Sequence, residues 1–380
     1  MSARQSVAFY APLKSPNHPL PSGDRTMARL LMRALDRAGF PAHLATEIRT
    51  FDKHGDRQVQ EQLKQQSLAE AYRLIAHYQA LPADRQPGLW FTYHVYYKAP
   101  DWIGPRVSEA LNIPYVIAEG SRAAKRAHGP WALGHEGAEA ALDQADAVFV
   151  MTAKDRIALE HACPSHQKLV DLPPFMDPEE WPRPASLRRS GEPRLLTVAM
   201  MREGDKLASY RILAGALERI AHLAWSLDVV GDGEARAEIE QLFSPFKSRV
   251  RFHGRIESRS DLAALYQEAD LFVWPAVNEA YGMVFLEAQF FGCAIVAGNF
   301  GGVASVVKDG ETGLLTVPGE AAAFSVAVKD LLERPARLRA FGDRARRFVG
   351  EERNLDRAAI RLHEALSSLS PSGGARACVS

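Results

Sequence analysis

Short apolar runs alternate with amphipathic stretches along nearly the whole chain, the pattern of parallel strands crossed by helices. "VAFYAP", "PAHLAT", "LWFTYH", "PYVIAE", "AVFVMT" and "KLVDLP" predict the strands of a first half. Helical stretches lie between them, such as "TMARLLMRALDRAG", where Met27, Leu30, Leu31, Ala34 and Leu35 share one face and Gly39 is placed to stop the helix. "RLLTVAM", "SLDVVGD", "VRFHGRI", "LFVWPA", "AIVAG" and "TGLLTV" repeat the alternation in a second half, with helical segments following to about residue 368. "LPPFMDPEEWPRPASLRRSGEPR", dense in proline, charge and turn residues, is the most linker-like segment. The pattern therefore predicts an α/β protein of two Rossmann-like doubly wound domains facing across a cleft. Their expected bounds are 1–180 for the first domain, 181–191 for the linker and 192–352 for the second domain. A helix over 353–368 is expected to pack back toward the first domain, and 369–380 reads as a frayed tail.

Bulk properties narrow the function classes. A chain of 380 residues is too long for one ordinary core. Zero formal net charge with 47% hydrophobic and 24% charged residues describes a soluble globular protein without a polyanion-binding signature, which argues against a nucleic-acid partner. Cys163, Cys293 and Cys378 lack CxxC spacing, so neither a disulfide framework nor a thiolate metal site is indicated. No signal-peptide run opens the chain and no stretch approaches the roughly 20 apolar residues of a membrane span, so the expected location is the cytoplasm.

In open parallel sheets, ligands bind beyond the carboxyl ends of the strands, where helix N-termini offer free N–H groups. After "RLLTVAM", the stretch "MREGDKLASYRIL" sets Arg202 and Lys206 around Gly204, where a helix should begin. Cations there oppose the helix dipole unless an anion sits between them, so a phosphate clamp and a pair of solvated charges both fit. Gly231, Asp232 and Gly233 suit a tight scaffold turn. "VRFHGRIE" ends a strand at His253, Gly254, Arg255 and Ile256, where backbone groups or the Arg255 plane could meet a base, although a lone histidine is more often structural. In "NEAYGMVFLE", Glu279 precedes a helix starting near Gly282, and Glu287 lies about 7 Å along it at 1.5 Å per residue. Glu279 also fits simple helix capping. Glu287, set among Phe285, Leu286, Phe290 and Phe291, needs a partner, either a ligand or an internal salt bridge.

Glu279, seven residues, then Glu287, with "GDGE" and "HGRI" upstream and "GNFGGVASVVKDGETGLLT" downstream, resembles the donor half of a glycosyltransferase of family 4, which has the GT-B fold. The resemblance covers nearly the whole second half in order and spacing. It implies that Glu279 contacts donor-sugar hydroxyls, that Glu287 takes the ribose hydroxyls, and that Arg202 and Lys206 meet the donor diphosphate. It further gives backbone N–H groups near Tyr281, Gly282 and Met283 to the sugar and phosphate, and sets residues 253–256, Arg255 and Ile256 among them, at the base. The family's usual Pro-Ser before the first glutamate is Pro275-Ala276 here, and the acidic residue expected after the double glycine is Ser305. The implied activity is transfer of a sugar from a nucleotide diphosphate sugar, with retention. A nucleotide-sugar epimerase on the same fold and a non-catalytic sugar-nucleotide binding protein are the alternatives. No cofactor is expected beyond the nucleotide sugar as co-substrate, and no metal, since the chain has no Asp-x-Asp motif and no His or Cys ligand set of suitable spacing.

The first half matches less closely. Where relatives carry a glycine-rich loop after the first strand, "LKSPNHPLPSGDRTMARLL" offers Gly23 alone, with Arg25 in a first helical turn as a cation for a phosphate or acceptor. The histidine that relatives often carry after the "IPYV" strand is absent, that position reading Ala118, Glu119, Gly120. Glu119, the basic loop residues Arg122, Lys125 and Arg126, and His94 at the end of "LWFTYH" are the remaining acceptor-side candidates. Such a basic cluster suits an anionic or lipid-linked acceptor and peripheral contact with the inner face of a membrane, although solvated loop charge is the more common explanation.

Overall fold

The computed structural model describes residues 6–185 and 191–369. Residues 186–190 of the expected linker, the tail from 370 and with it Cys378 lie outside the described residues. The chain divides into two compact units, the first running to Pro173 and resuming at Leu355, the second spanning Pro174–Asn354.

Six parallel strands form the first sheet: β1 (Ser6–Tyr10), β2 (Ala42–Leu44), β3 (Pro87–Val95), β4 (Tyr115–Gly120), β5 (Ala147–Val150) and β6 (Lys168–Asp171). Their spatial order is β2-β1-β3-β4-β5-β6. The inner strands β1, β4 and β5 are buried almost throughout because both sheet faces are covered there, whereas the edge strands β2 and β6 are partly exposed. On one face Phe9 stacks on Phe91 of the neighbouring strand at 5.8 Å, and Phe91 meets the tilted ring of Phe149, two strands along, at 6.0 Å. Tyr10 and Trp90 meet edge-on at 6.3 Å on the other. Helix Gly23–Arg37 buries Met27, Leu30, Leu31, Ala34 and Leu35, and Gly39, at φ 90°, follows its end as expected. Helix Leu355–Ser367 packs on it through a buried face of Leu355, Ala358, Ala359, Leu362 and Leu366, with the Arg37–Asp356 ion pair at 2.5 Å.

The second sheet contains β7 (Arg194–Val198), β8 (Ser226–Val230), β9 (Val250–Gly254), β10 (Leu271–Trp274), β11 (Ala294–Gly298) and β12 (Gly313–Thr316), ordered β12-β11-β10-β7-β8-β9. All twelve expected strands are thus present, in two doubly wound units. The division between Pro173 and Pro174 falls at the start of the proline-rich segment read as linker-like and ahead of the expected 181–191. Trp181 packs edge-on against Tyr266 and Phe291 at 6.0 and 5.7 Å, so the chain is already part of the second unit there. Among the described residues, no helix is long and apolar enough to cross a membrane.

Candidate functional site

In each sheet the strand order reverses at one point, and the loops leaving the two strands on either side of it diverge to leave a crevice. In the second unit that point lies between β7 and β10. β7 leads into helix Asp205–Arg219, which starts after Gly204 at φ 76°. β10 leads through the loop 275–282 into helix Met283–Phe290. Lys206 Nζ and Glu279 Oε2 are 2.5 Å apart between these loops, with side chains 24% and 18% exposed. The Lys206 ammonium also lies 5.5 Å from the centroid of the Trp274 ring.

The rest of the loop is held to the same helix. Asn278 Nδ2 donates to Asp205 Oδ2 at 2.8 Å, and Val277 N donates to Ser209 Oγ at 3.0 Å. Ala276 and Asn278 take positive φ of 57° and 52°, a strained backbone for residues with a Cβ and one found most at functional sites. Gly282, at φ 78°, begins helix Met283–Phe290, and no side chain caps it. Glu279 is therefore not a cap; its carboxylate serves Lys206. Gly301 approaches so closely that a Cβ there would sit 2.1 Å from the Glu279 carbonyl.

Glu287 has a partner in the protein itself. Its Oε2 accepts from Tyr266 Oη at 2.9 Å, and Tyr266 stacks on Phe291 at 5.8 Å, with Trp181 edge-on to both. Burial raises the Glu287 pKa, opposed by the Tyr266 hydrogen bond and by the charge of Arg259. Arg259 is itself paired with Glu180 and lies over Trp181. The partner is thus a phenol rather than the salt-bridging cation that the sequence allowed.

Tyr281 and Met283 are buried, Ile256 is half-buried, and Arg255 is exposed and paired with Glu257 at 3.0 Å. His253 is structural: its Nε2 meets Asp228 Oδ1 at 2.6 Å. Arg202 is exposed beside the Lys206 loop and makes no ion pair among the described residues.

In the first unit the order reverses between β1 and β3. His94, near the end of β3, and Glu119, near the end of β4, both have positive φ, 65° and 60°. His94 Nδ1 lies 3.2 Å from Asp24 Oδ1 and 3.7 Å from Glu119 Oε1. Burial by itself would lower the His94 pKa, but Glu119 and hydrogen-bonded Asp24 outweigh it and raise it to about 9. Burial raises the pKa of Glu119, with His94 pulling the other way.

The cations expected nearby are otherwise engaged. Arg25 Nη1 donates to the carbonyls of His18 and Pro19 at 2.9 and 3.2 Å, so it binds its own loop, and the helix it opens is capped by Ser22. Space around Gly23 is open, and nothing there requires a glycine. Arg122 is not a loop charge. It is 7% exposed and bridges Glu139 and Asp143 at 2.5 and 2.6 Å. Arg126 lies over Tyr97 and Trp131 at 5.2 and 5.0 Å, leaving Lys125 exposed. The expected basic cluster is therefore dispersed. A groove of the same unit, lined by Arg57, Gln60, Leu133, His135 and Glu136, contains none of the candidates.

Asp24, Trp181, Tyr266 and Trp274 belong to these sites and carried no signal of their own. Among the described residues no group of three or more His, Cys, Asp or Glu side chains is arranged to hold a metal ion.

Residues 192–334 match the model of the family described as glycosyl transferases group 1. Over 165 residues the chain is 32% identical to glycogen synthase of Mycobacterium tuberculosis, covering 42% of this chain and 39% of that protein. Over 278 residues it is 27% identical to D-inositol 3-phosphate glycosyltransferase of Mycobacterium sp. (strain JLS), covering 68% of this chain and 62% of that protein. The matched segments thus span less than two thirds of either relative. Among solved structures, sucrose-phosphate synthase from Thermosynechococcus elongatus has a similar fold, with TM-score 0.74 at 21% identity over 96% of this chain and 98% of that one. Anabaena Alr3699/HepE in complex with UDP-glucose gives TM-score 0.66 at 16% identity over 96% of this chain and 100% of that one. Twelve strands in two doubly wound sheets and these likenesses agree: residues 192–334 resemble glycosyl transferases group 1, within a chain of the GT-B fold class.

Proposed function

We propose that the protein transfers a sugar from a nucleotide diphosphate sugar to an acceptor hydroxyl, with retention at the anomeric carbon, as a member of family 4, and without a metal ion. The observation that carries the reading is the Lys206–Glu279 pair at the switch point of the family-matched unit, with Glu287 on the helix that follows. The pair puts a cation for phosphate oxygens beside an acceptor for sugar hydroxyls. Glu287, now bonded by the Tyr266 phenol, keeps a carboxylate oxygen for the ribose hydroxyls.

In this reading, the bond between the anomeric carbon and the leaving phosphate oxygen breaks as the acceptor oxygen bonds to the same face. The acceptor proton passes to the departing oxygen, and no carboxylate nucleophile is required. Arg202 and Lys206 stabilise the charge that develops on the diphosphate, which lowers the barrier to the extent that they hold it more tightly in the transition state than in the bound donor. UDP-glucose is the first donor to test because Alr3699/HepE is solved in complex with it. Thermal-shift screening of UDP, ADP and GDP sugars should find one that raises the melting temperature, since a ligand bound only by the native state stabilises by mass action. Release of nucleoside diphosphate and labelled product in the presence of that donor should follow. No stabilisation by any of them would remove the reading.

A further inference from the structure

We propose that Tyr266 is a positioning residue for nucleotide recognition: its phenol fixes one oxygen of Glu287 so that the other meets the paired ribose hydroxyls, and the segment carrying Glu180 and Trp181 holds that phenol in place. The proposal rests on the transferase reading and names what makes its ribose contact selective.

The last torsion of a glutamate side chain is broad, so its carboxylate turns readily unless something holds it. At Glu287 one oxygen is held. Tyr266 Oη donates to Oε2 at 2.9 Å, which leaves Oε1 to accept from a diol. The phenol comes from helix Arg259–Glu268 and the carboxylate from helix Met283–Phe290, 21 positions later in the chain. The Tyr266 ring cannot swing away without breaking a packed aromatic set. It lies parallel to Phe291, with 2° between the planes at 5.8 Å, and tilted on Phe272 at 6.3 Å. Trp181 meets Tyr266 and Phe291 edge-on at 6.0 and 5.7 Å. The Arg259 guanidinium covers Trp181 at 5.5 Å from its centroid and bonds both the carboxylate and the carbonyl of Glu180. The support therefore runs from the proline-rich segment read as linker-like to the carboxylate.

The same groups set the charge of Glu287. Burial raises its pKa, the Tyr266 hydrogen bond and the charge of Arg259 lower it, and Glu180 raises it. Burial and the neighbouring Glu287 push the Tyr266 pKa well above its ordinary value, so the phenol keeps its proton and stays a donor. A donor without charge orients the carboxylate and leaves it its attraction for hydroxyls, whereas a paired cation competes for it, as Lys206 does at Glu279. Removing the phenol oxygen frees the carboxylate to turn and takes away a group that favours its ionised form. Ribose recognition, present above the folded pKa of Glu287 and lost as pH falls through it, then fails at a higher pH.

The test titrates UDP, ADP and GDP beside their 2′,3′-dideoxy counterparts by calorimetry on the full-length protein. The ratio of the two affinities isolates the ribose contact, because base and diphosphate are common to both. The wild type should prefer the ribonucleotide of the base it binds by about tenfold or more, the loss expected when a charged acceptor goes unmet. Tyr266→Phe keeps the stacked ring and should cut that preference to about threefold or less, and the pH below which the preference disappears should rise. Glu180→Gln should move that pH the other way, since it removes a like charge. An unchanged ratio and pH profile in folded Tyr266→Phe would overturn the proposal even if both affinities fall together, because equal losses mark a purely structural residue. Equal affinity of the wild type for the two forms would overturn it too. Ribonucleotide binding with either of those results defeats only this inference, whereas no binding of UDP, ADP or GDP to the wild type defeats the transferase reading with it.

Discussion

Glu279 is ion-paired with Lys206, so in the proposed reading a donor diphosphate takes the ammonium from a carboxylate that then becomes free for the sugar. Glu279→Gln should therefore tighten binding of free UDP by about fivefold, the roughly 1 kcal/mol of a partly exposed ion pair, while slowing sugar transfer. Weaker UDP binding in that variant, read by calorimetry, would show that the pair does not compete with phosphate. Glu287 presents the opposite trade. Its pKa is raised by burial, so keeping it ionised costs folding free energy once the pH climbs above the ordinary carboxylate range. Glu287→Gln retains an oxygen for Tyr266 and removes the charge. It should melt a few degrees higher at neutral pH and bind nucleotide more weakly. A lower melting temperature with unchanged affinity would make the carboxylate structural.

At the scale of elements, the loop 275–282 depends on backbone that only certain residues tolerate. Gly301→Ala would drive a Cβ into the Glu279 carbonyl, displacing the loop that carries the glutamate. It should cost about 2 kcal/mol of stability and reduce donor affinity, whereas Gly23→Ala, with open space around it, should do neither. Equal melting temperatures for the two variants would contradict the packing described. The strands themselves were legible because a strand covered on both faces must be apolar throughout, and the switch-point loops follow from where those strands end. What joins the loops was not legible. Lys206 and Glu279 are 73 positions apart, and Asp24 and His94 are 70 apart; each pair meets only because the sheet order places their strands side by side. Glu287 invited a cation by charge alone, but its geometry supplied Tyr266. Arg122 was read as loop charge although Glu139 and Asp143, four apart on one helix face, were the available sign of its real partners.

For the whole molecule, pH should act through His94. Its folded pKa of about 9 lies above the ordinary 6.5, so its stabilising contribution is complete below about 6.5 and is lost as pH rises through 9. The wild type should lose more thermal stability than His94→Gln between pH 7 and 10, and parallel losses would show that the imidazolium contributes nothing. Chelators should leave transfer unchanged to within about twofold, as expected of a reaction whose leaving group is met by side-chain cations rather than a metal. Loss of transfer in EDTA that magnesium or manganese restores would refute this. The central claim is that Arg202 and Lys206 stabilise the departing diphosphate, and saturating-donor turnover in folded Arg202→Ala, Lys206→Ala and double variants tests it most directly. Each single substitution should lower turnover roughly a hundredfold to a thousandfold, with the double variant falling short of the product because both cations serve one leaving group. Near-normal turnover in the double variant would contradict the account.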